Sequence, residues 1–467
     1  MPYRLRALGG ERNLCDEIDF SAVLKVAPMR RIHQALALTN AHEARRRKLP
    51  FAAVVLLLIA LGLYSDLSIK HVLARVARPF RFLWPDPEEP MVRDSAFSYR
   101  RYQLGARPLA ALFRDVCRPL ASRDDEDAFR FGLRLMAIDG SVENAPNTPT
   151  NEAAFGRRGS SRGDSAFVQL QCMFLVECGT HAIVDAGFWG CHAGEHKGAM
   201  RLLRSVSLGM LVMLDRGLFS YDLVHQIRQR KAHVLVRLSA VLKPKVVRVL
   251  ADGSVLARIE PGRNSPNGLA RRKAGEHVLV RIITYRFEDP AHPSRTTTAR
   301  VLTTLLDPKR APALEMVMCY HERWEIELVF DELGTHQRLA GRPLRSHRPV
   351  GVIQELYALL IAHYAVRSLM YEAARDAEVD PDRLSFIGTL RVLRDALYEF
   401  AIVSRRQRGE LYTRLLREIA REQLPERRLR SNPRVVRRKM STFKLKRAKH
   451  ANWPQPLHSF RDQVLLI

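Results

Sequence analysis

The sequence predicts a mixed α/β protein with a sheet-containing middle, a β-rich block inserted in it, and helical regions at both ends. Three patterns predict this. Apolar stretches of helical length occupy much of residues 1–90 and 349–400. Two short apolar runs, 133–138 and 210–214, each deliver an aspartate, Asp139 and Asp215. Residues 234–306 alternate apolar and polar as strands do, in HVLVRLS, KVVRVLADGSVLARI, EHVLVRIITYRF and ARVLTTLL.

Composition narrows the class. The chain has 467 residues, room for two or three domains, and an apolar fraction of 46% supports a packed core. Its formal net charge is +27, from 76 basic and 49 acidic side chains. That exceeds what solubility needs and favours a polyanionic partner, nucleic acid or an anionic membrane surface. The longest apolar run, 51–63, is short of the about 20 residues that cross a bilayer, so it reads as a buried helix. The opening MPYRLRALGGERN lacks the apolar centre of a secretion signal. Six cysteines are scattered at 15, 117, 172, 178, 191 and 319, which suggests a reducing compartment rather than a disulfide framework. The expectation is a cytoplasmic protein that handles DNA or RNA.

In chain order, residues 24–38, 51–63 and 68–76 predict three helices, the last capped by Asp66 or Ser68. Pro79, Pro85, Pro87 and Pro90 then mark a linker. A second helical region, 95–130, carries Arg93, Arg100, Arg101, Arg107 and Arg114, either a DNA-docking face or a solvated one. The strand ending at Asp139-Gly140 follows, then strands at 167–176 and 181–186, a helix at 195–205, and the strand ending at Asp215-Arg216-Gly217. Within the β-rich block, Asp252-Gly253 signals a hairpin. Helices return at 349–373 and after Ser385. Residues 427–449 hold eleven lysines and arginines and no acid, Arg437, Arg438 and Lys439 among them. This run is a disordered basic tail or an electrostatic grip on a phosphate backbone. The expected divisions are 1–92, 93–130, 131–220, 221–310, 311–400 and 401–467.

The chemistry centres on residues 320–332, YHERWEIELVFDE. Glu327 lies seven residues after Tyr320 and four after Arg323, which predicts one shared helical face. It stands among Trp324, Ile326, Leu328, Val329 and Phe330, with Trp324 expected in the core; a carboxylate there needs a polar partner, a metal or water. Asp139, Asp215 and Glu327 together form a set of oxygen donors suited to two Mg2+ ions, Mn2+ being able to substitute. Such ions activate the attacking water or 3′-hydroxyl and stabilise the leaving oxygen of a phosphodiester. Arg323 would contact a phosphate oxygen, and Tyr320 a phosphate or a carboxylate. Each acid has a plainer reading: Asp-Gly and Asp-Arg-Gly as turns, Glu327 as an i,i+4 partner of Arg323. Cys172, Cys178, Cys191, His192 and His196 match no compact zinc spacing. The chain carries neither a GxxxxGK phosphate loop nor a Gly-rich dinucleotide turn, so no nucleotide cofactor is expected.

These motifs resemble those of bacterial transposases of the insertion sequence 4 family. The segments are MAIDGSVENAPNTPTNEAAFG at 136–156, GMLVMLDRGLFSYDL at 209–223 and LLDPKRAPALEMVMCYHERWEIELVFDELGTHQ at 305–337. SAFSYRRYQLGARPLAALF at 95–113 and LRSHRPVGVIQELYALLIAHYAVRSLM extend the likeness over nearly the whole chain. The resemblance implies a ribonuclease H-like core split by the β-rich insertion, with Asp139, Asp215 and Glu327 as catalytic metal ligands. Tyr320 and Arg323 match the family's tyrosine and arginine. It implies cut-and-paste transposition, with metal-dependent cleavage at terminal inverted repeats, often through a hairpin, and strand transfer into target DNA. It further implies a homodimer in the synaptic complex and association with the nucleoid. The rival class is a DNA-binding relic that recognises ends without completing the reaction; a third is a nuclease without strand transfer. One position departs: the family commonly has a lysine seven residues after the glutamate, and here it is Gly334. Glycine offers phosphate no charge and weakens a helix by about 1 kcal/mol relative to alanine.

Overall fold

The computed structural model describes residues 25–43, 49–77, 93–160, 163–263, 265–287, 297–338, 341–404, 406–425, 435–436, 444–445, 447 and 460–467. In chain order the helices begin with α1 (Met29–Leu38), α2 (Phe51–Leu63), α3 (Ile69–Ala77), α4 (Asp94–Leu104) and α5 (Arg107–Val116). Then come β1 (Phe129–Arg130), β2 (Leu133–Ala145), α6 (Pro149–Phe155), β3 (Gly159–Ser160), β4 (Gly163–Asp164), β5 (Val168–Glu177), β6 (Ala182–Gly190) and α7 (Glu195–Leu202). The middle holds β7 (Met210–Leu214), α8 (Tyr221–Gln229), β8 (His233–Arg237), β9 (Lys245–Val249), β10 (Val255–Ile259), α9 (Gly268–Lys273), β11 (Val278–Phe287) and β12 (Thr297–Thr303). The last part holds α10 (Ala313–Glu322), α11 (Glu325–Asp331), a π-helix (Glu332–Gln337), α12 (Pro349–Asp376), α13 (Phe386–Ile402), α14 (Arg408–Arg421), β13 (Val435–Val436), β14 (Lys444–Leu445) and β15 (Val464–Leu466). The proline linker at 79–90 and the tail residues Arg437, Arg438 and Lys439 lie outside the described residues.

The chain divides into two compact units. The first comprises 1–128, 136–205 and 324–424; the second comprises 129–135, 206–323 and 425–467. In the first, β2, β5 and β6 form an antiparallel meander. Helix α2 is buried on every side, as its unbroken apolar sequence requires. It approaches α12 so closely that a Cβ on Gly62 would stand 2.6 Å from the Ala358 carbonyl oxygen. Helix α12 is the one described helix long and apolar enough to cross a membrane, and 78% of its most apolar window is buried inside the protein. Ser68 caps α3 by accepting the His71 N–H, and Ser385 caps α13 by accepting the Gly388 N–H.

In the second unit β7 and β8 are parallel, and the order continues β12, β11, β10, β9 with antiparallel pairing. The β9–β10 hairpin turns at Asp252-Gly253, where Gly253 takes φ +80°. The C-terminal β15 pairs with Tyr285–Phe287 of β11. The first unit thus carries an antiparallel meander and the second a mixed sheet. The segment 221–310 read as β-rich also holds helices α8 and α9, where DLVHQI and GLARRK carry no strand alternation.

Three expectations are corrected. The strand read as ending at Asp139 runs on to Ala145, because backbone pairing with β5 continues to Ala145–Val168 despite the polar side chains. The helical region 95–130 ends at Val116. Its arginines do not share one face: Arg93, Arg107 and Arg114 are exposed, while Arg100 and Arg101 are buried. Arg101 donates to Gln354 Oε1 (3.0 Å), Ser346 Oγ (3.0 Å) and the Gly351 carbonyl (2.9 Å), so it joins α4 to the start of α12. Arg100 donates to the Leu49 carbonyl and contacts Glu43.

Candidate active site

Asp139 sits in the middle of β2, half-buried, with its Oδ1 accepting the Gly140 N–H at 2.8 Å. Phe174 of β5 is its cross-strand partner. Residues directly opposite in an antiparallel pair share a face, so Asp139 and Phe174 point the same way. Phe330 of α11 meets Phe174 on that face, with ring centroids 5.7 Å apart. The helix that carries Glu327 therefore lies over the sheet face to which Asp139 points. Gly140 keeps the neighbourhood close: a Cβ there would stand 2.8 Å from Met173 Sδ.

Glu327 is half-buried. The stretch around it is not one continuous α-helix, as its spacing predicts. The Arg323 N–H bonds the Tyr320 carbonyl at 3.3 Å, and the Glu327 N–H bonds the Trp324 carbonyl at 3.0 Å. These are three-residue, 3₁₀-type bonds that tighten the chain between α10 and α11. Tyr320 and Arg323 belong to the second unit and Glu327 to the first. Trp324 is half-buried rather than in the core.

In the second unit, Asp215 follows β7 and its Oδ1 accepts the Leu218 N–H at 2.8 Å. The Asp-Arg-Gly turn thus fixes the carboxylate while leaving it half-buried. Tyr320 donates its hydroxyl to the Leu214 carbonyl at 3.3 Å, bracing the residue before Asp215. Burial pushes the Tyr320 phenol up, opposed by the Arg323 guanidinium beside it. The Arg323 guanidinium lies 5.8 Å from the Tyr320 ring centre. The structure thus brings Asp215, Tyr320 and Arg323 together in one unit, and Asp139 and the Glu327 helix together in the other. Among the described residues no three His, Cys, Asp or Glu side chains are grouped to hold a metal ion. The donor chemistry of Asp139, Asp215 and Glu327, carboxylate oxygens at half-buried positions, suits a hard divalent cation.

The second unit also carries a strongly basic edge. Lys243, Arg248, Arg258, Arg263 and Lys273 are exposed around β9, β10 and α9. The acids nearby are engaged internally: Glu260 with Lys245 and Arg272, Asp252 with Arg281.

The sequence reading missed a buried cluster behind Glu327. Glu332, 6% exposed, has Oε1 2.9 Å from His181 Nδ1 and Oε2 2.9 Å from His363 Nε2, and accepts Arg367 Nε at 3.0 Å. Glu325, also buried, accepts the Gly179 N–H. Burial raises the Glu332 carboxyl, but Arg367 and His181 outweigh it and hold the group well below the usual range. The signal was present: His363 and Arg367 stand four apart inside the apolar run ELYALLIAHYAVRSLM, where polar groups need a buried partner.

The comparisons with known proteins give the enzyme class. Residues 130–365, half of the chain, match the transposase DDE domain family, and residues 17–114 match the insertion element 4 transposase N-terminal family. The protein is a DNA transposase, an enzyme of a class that uses divalent metal. More narrowly, the chain belongs to the insertion sequence 4 family. It is 27% identical over 412 residues to transposase InsG for insertion sequence element IS4 of Escherichia coli K12, covering 87% of this chain and 89% of that one. It is 26% identical over 207 residues to the putative transposase InsZ of the same organism, covering 44% of this chain and 66% of that one. A solved structure, the piggyBac transposase synaptic complex with hairpin DNA, aligns at TM-score 0.42 and 12% identity over 89% of this chain and 87% of that one.

Proposed function

We propose that the protein performs cut-and-paste transposition, cleaving DNA at the ends of its element and joining those ends to target DNA, with Asp139, Asp215 and Glu327 as the carboxylates that hold Mg2+ or Mn2+. The observation that carries this reading is the Phe174–Phe330 contact, which sets the Glu327 helix over the face of Asp139. Held by these carboxylates, a divalent ion would supply activation of the attacking oxygen and offset charge on the phosphodiester. The chain's own residues supply position. Asp139 is fixed by a long strand, Asp215 by the turn to Leu218, and Glu327 by a helix packed through Phe330. Tyr320 supports the strand that ends at Asp215, and Arg323 beside it places a cation where phosphate would approach. The exposed cations of β9, β10 and α9 suit the backbone of double-stranded DNA. Synapsis of two ends calls for a homodimer, and its substrate places the protein with the nucleoid.

Gly334 favours a second reading, a DNA-binding relic. The nearby cations are occupied: Arg338 contacts Glu143, and His336 Nε2 lies 3.2 Å from Asp331 Oδ2. The two readings separate with purified protein, DNA bearing the element's terminal repeats, and Mg2+. Cleavage followed by joining, lost in Asp139→Asn, Asp215→Asn and Glu327→Gln, is the expected result. Specific binding without cleavage by the wild type would select the relic, and cleavage unchanged in all three variants would reject the carboxylate assignment.

A further inference from the structure

Two buried acids flank Glu327, Glu325 at the start of α11 and Glu332 where α11 passes into the π-helix. Glu325 and Glu332 are seven residues apart, which returns them to within about 20° of one helical face, while Glu327 lies about 140–160° away from both. That face is clamped. Glu325 accepts the backbone N–H of Gly179, just before β6, and its Oε2 lies 3.8 Å from His181 Nε2. Glu332 is held by His181 from the β5–β6 turn and by His363 and Arg367 from α12. His181 takes φ +58°, a left-handed conformation uncommon for a residue other than glycine. Asp382, from the turn after α12, lies 3.7 Å from the same ring.

The clamp coincides with a change of helix type. The chain switches to π-helix at Glu332 itself and ends it at Gln337. Gln337 donates to the carbonyls of Gly62 (3.2 Å) and Leu359 (3.0 Å), which ties that end to α2 and α12. A π-helical turn inserts a residue relative to an α-helix and occurs where tertiary contacts demand it. Here both ends of the turn are fixed by side chains buried in other elements. The rotation of α11 about its axis is thus set by ionic anchors on the side opposite Glu327, rather than by apolar packing alone.

We propose that Glu325 and Glu332 are positioning residues that fix the rotation and register of α11, and thereby the place of the Glu327 carboxylate over Asp139. This rests on Glu327 being a metal ligand. Apolar contacts tolerate sliding, whereas a carboxylate bonded to two imidazoles and a guanidinium has one geometry. Loss of the anchor would let α11 turn while Phe330 kept it on the sheet.

The test uses the full chain with DNA carrying the element's ends. Four quantities are read for wild type, Glu327→Gln, Glu332→Gln and His363→Asn: helix content, end-DNA affinity, cleavage rate at saturating DNA, and Mn2+ affinity by electron paramagnetic resonance. Glu332→Gln is expected to keep its helix content and its DNA affinity. Its cleavage rate should fall about 10–100-fold, the scale on which a 1 Å misplacement acts, and its Mn2+ affinity should fall with it, about 10–100-fold for a lost orienting partner. His363→Asn removes one anchor bond and should show the same pattern with smaller losses; it also serves if Glu332→Gln does not fold. Wild-type cleavage and Mn2+ affinity in a folded anchor variant would overturn the proposal. So would loss of DNA affinity and helix content in step with activity, which marks a merely structural role. Glu327→Gln separates the two levels: if it keeps wild-type cleavage and Mn2+ affinity, the assignment of Glu327 fails, and with it the premise.

Discussion

The two units hold their carboxylates by different means. In the first, Glu327 rides on a helix whose far side is locked by Glu325 and Glu332 into a buried ionic cluster. In the second, Asp215 stands in a turn, held by one backbone N–H and braced by one tyrosine hydroxyl on the residue before it. A strand end already has its backbone fixed by pairing on β8, so a turn suffices. A short helix lying on a sheet can rotate, so it needs anchors with direction.

If this comparison is right, its largest effect falls on Glu332. Glu332→Ala leaves the buried His363 and Arg367 without their partner and should destabilise the first unit by about 3–5 kcal/mol, measured by urea denaturation. The same anchor sets an acid limit. A carboxyl held well below its unfolded value of 4.5 contributes stability that is complete above that value and declines as pH falls toward the folded one. Stability of the wild type should therefore drop below about pH 4.5, and Glu332→Gln should flatten that part of the profile. Next comes Gly62→Ala, whose new Cβ meets the Ala358 carbonyl at 2.6 Å. Forcing α2 from α12 should cost about 1–3 kcal/mol and lower the melting temperature. In the second unit Tyr320→Phe removes the hydroxyl's bonds to the Leu214 carbonyl and to Arg323, each worth only about 0.5–1.5 kcal/mol. A loss as large as that of Glu332→Ala would erase the contrast between the units. The smallest stability effect is expected of Gly334→Lys. A Cβ at Gly334 meets nothing within 4 Å, so the lysine fits, and the expected outcome is unchanged stability with faster end cleavage.

Much of this was legible in the sequence. Helix α2 and strand β7 follow from unbroken apolar runs, and the β9–β10 hairpin from Asp252-Gly253. Asp215 was readable because the apolar run really stops at Leu214. Asp139 misled, because DGSVENA looks like the end of a strand while its backbone continues to pair with β5. The Tyr320–Glu332 stretch misled for the opposite reason. Every residue in it suits an α-helix, so nothing local announces the tightened turn at Arg323 or the π-helix from Glu332. The π-helix is held by Gly62, Leu359, His363 and Arg367, partners outside the stretch that propensity does not see.

The most direct test of the three-carboxylate assignment is to locate the metal itself. Replacing Mg2+ with Fe2+ in the complex with end DNA, then adding ascorbate and peroxide, cleaves the polypeptide beside the bound ion. The account predicts cuts next to Asp139, Asp215 and Glu327, suppressed by excess Mg2+ and weakened in Asp139→Asn. Cuts confined to other segments, or a pattern that Asp139→Asn leaves unchanged, would contradict it.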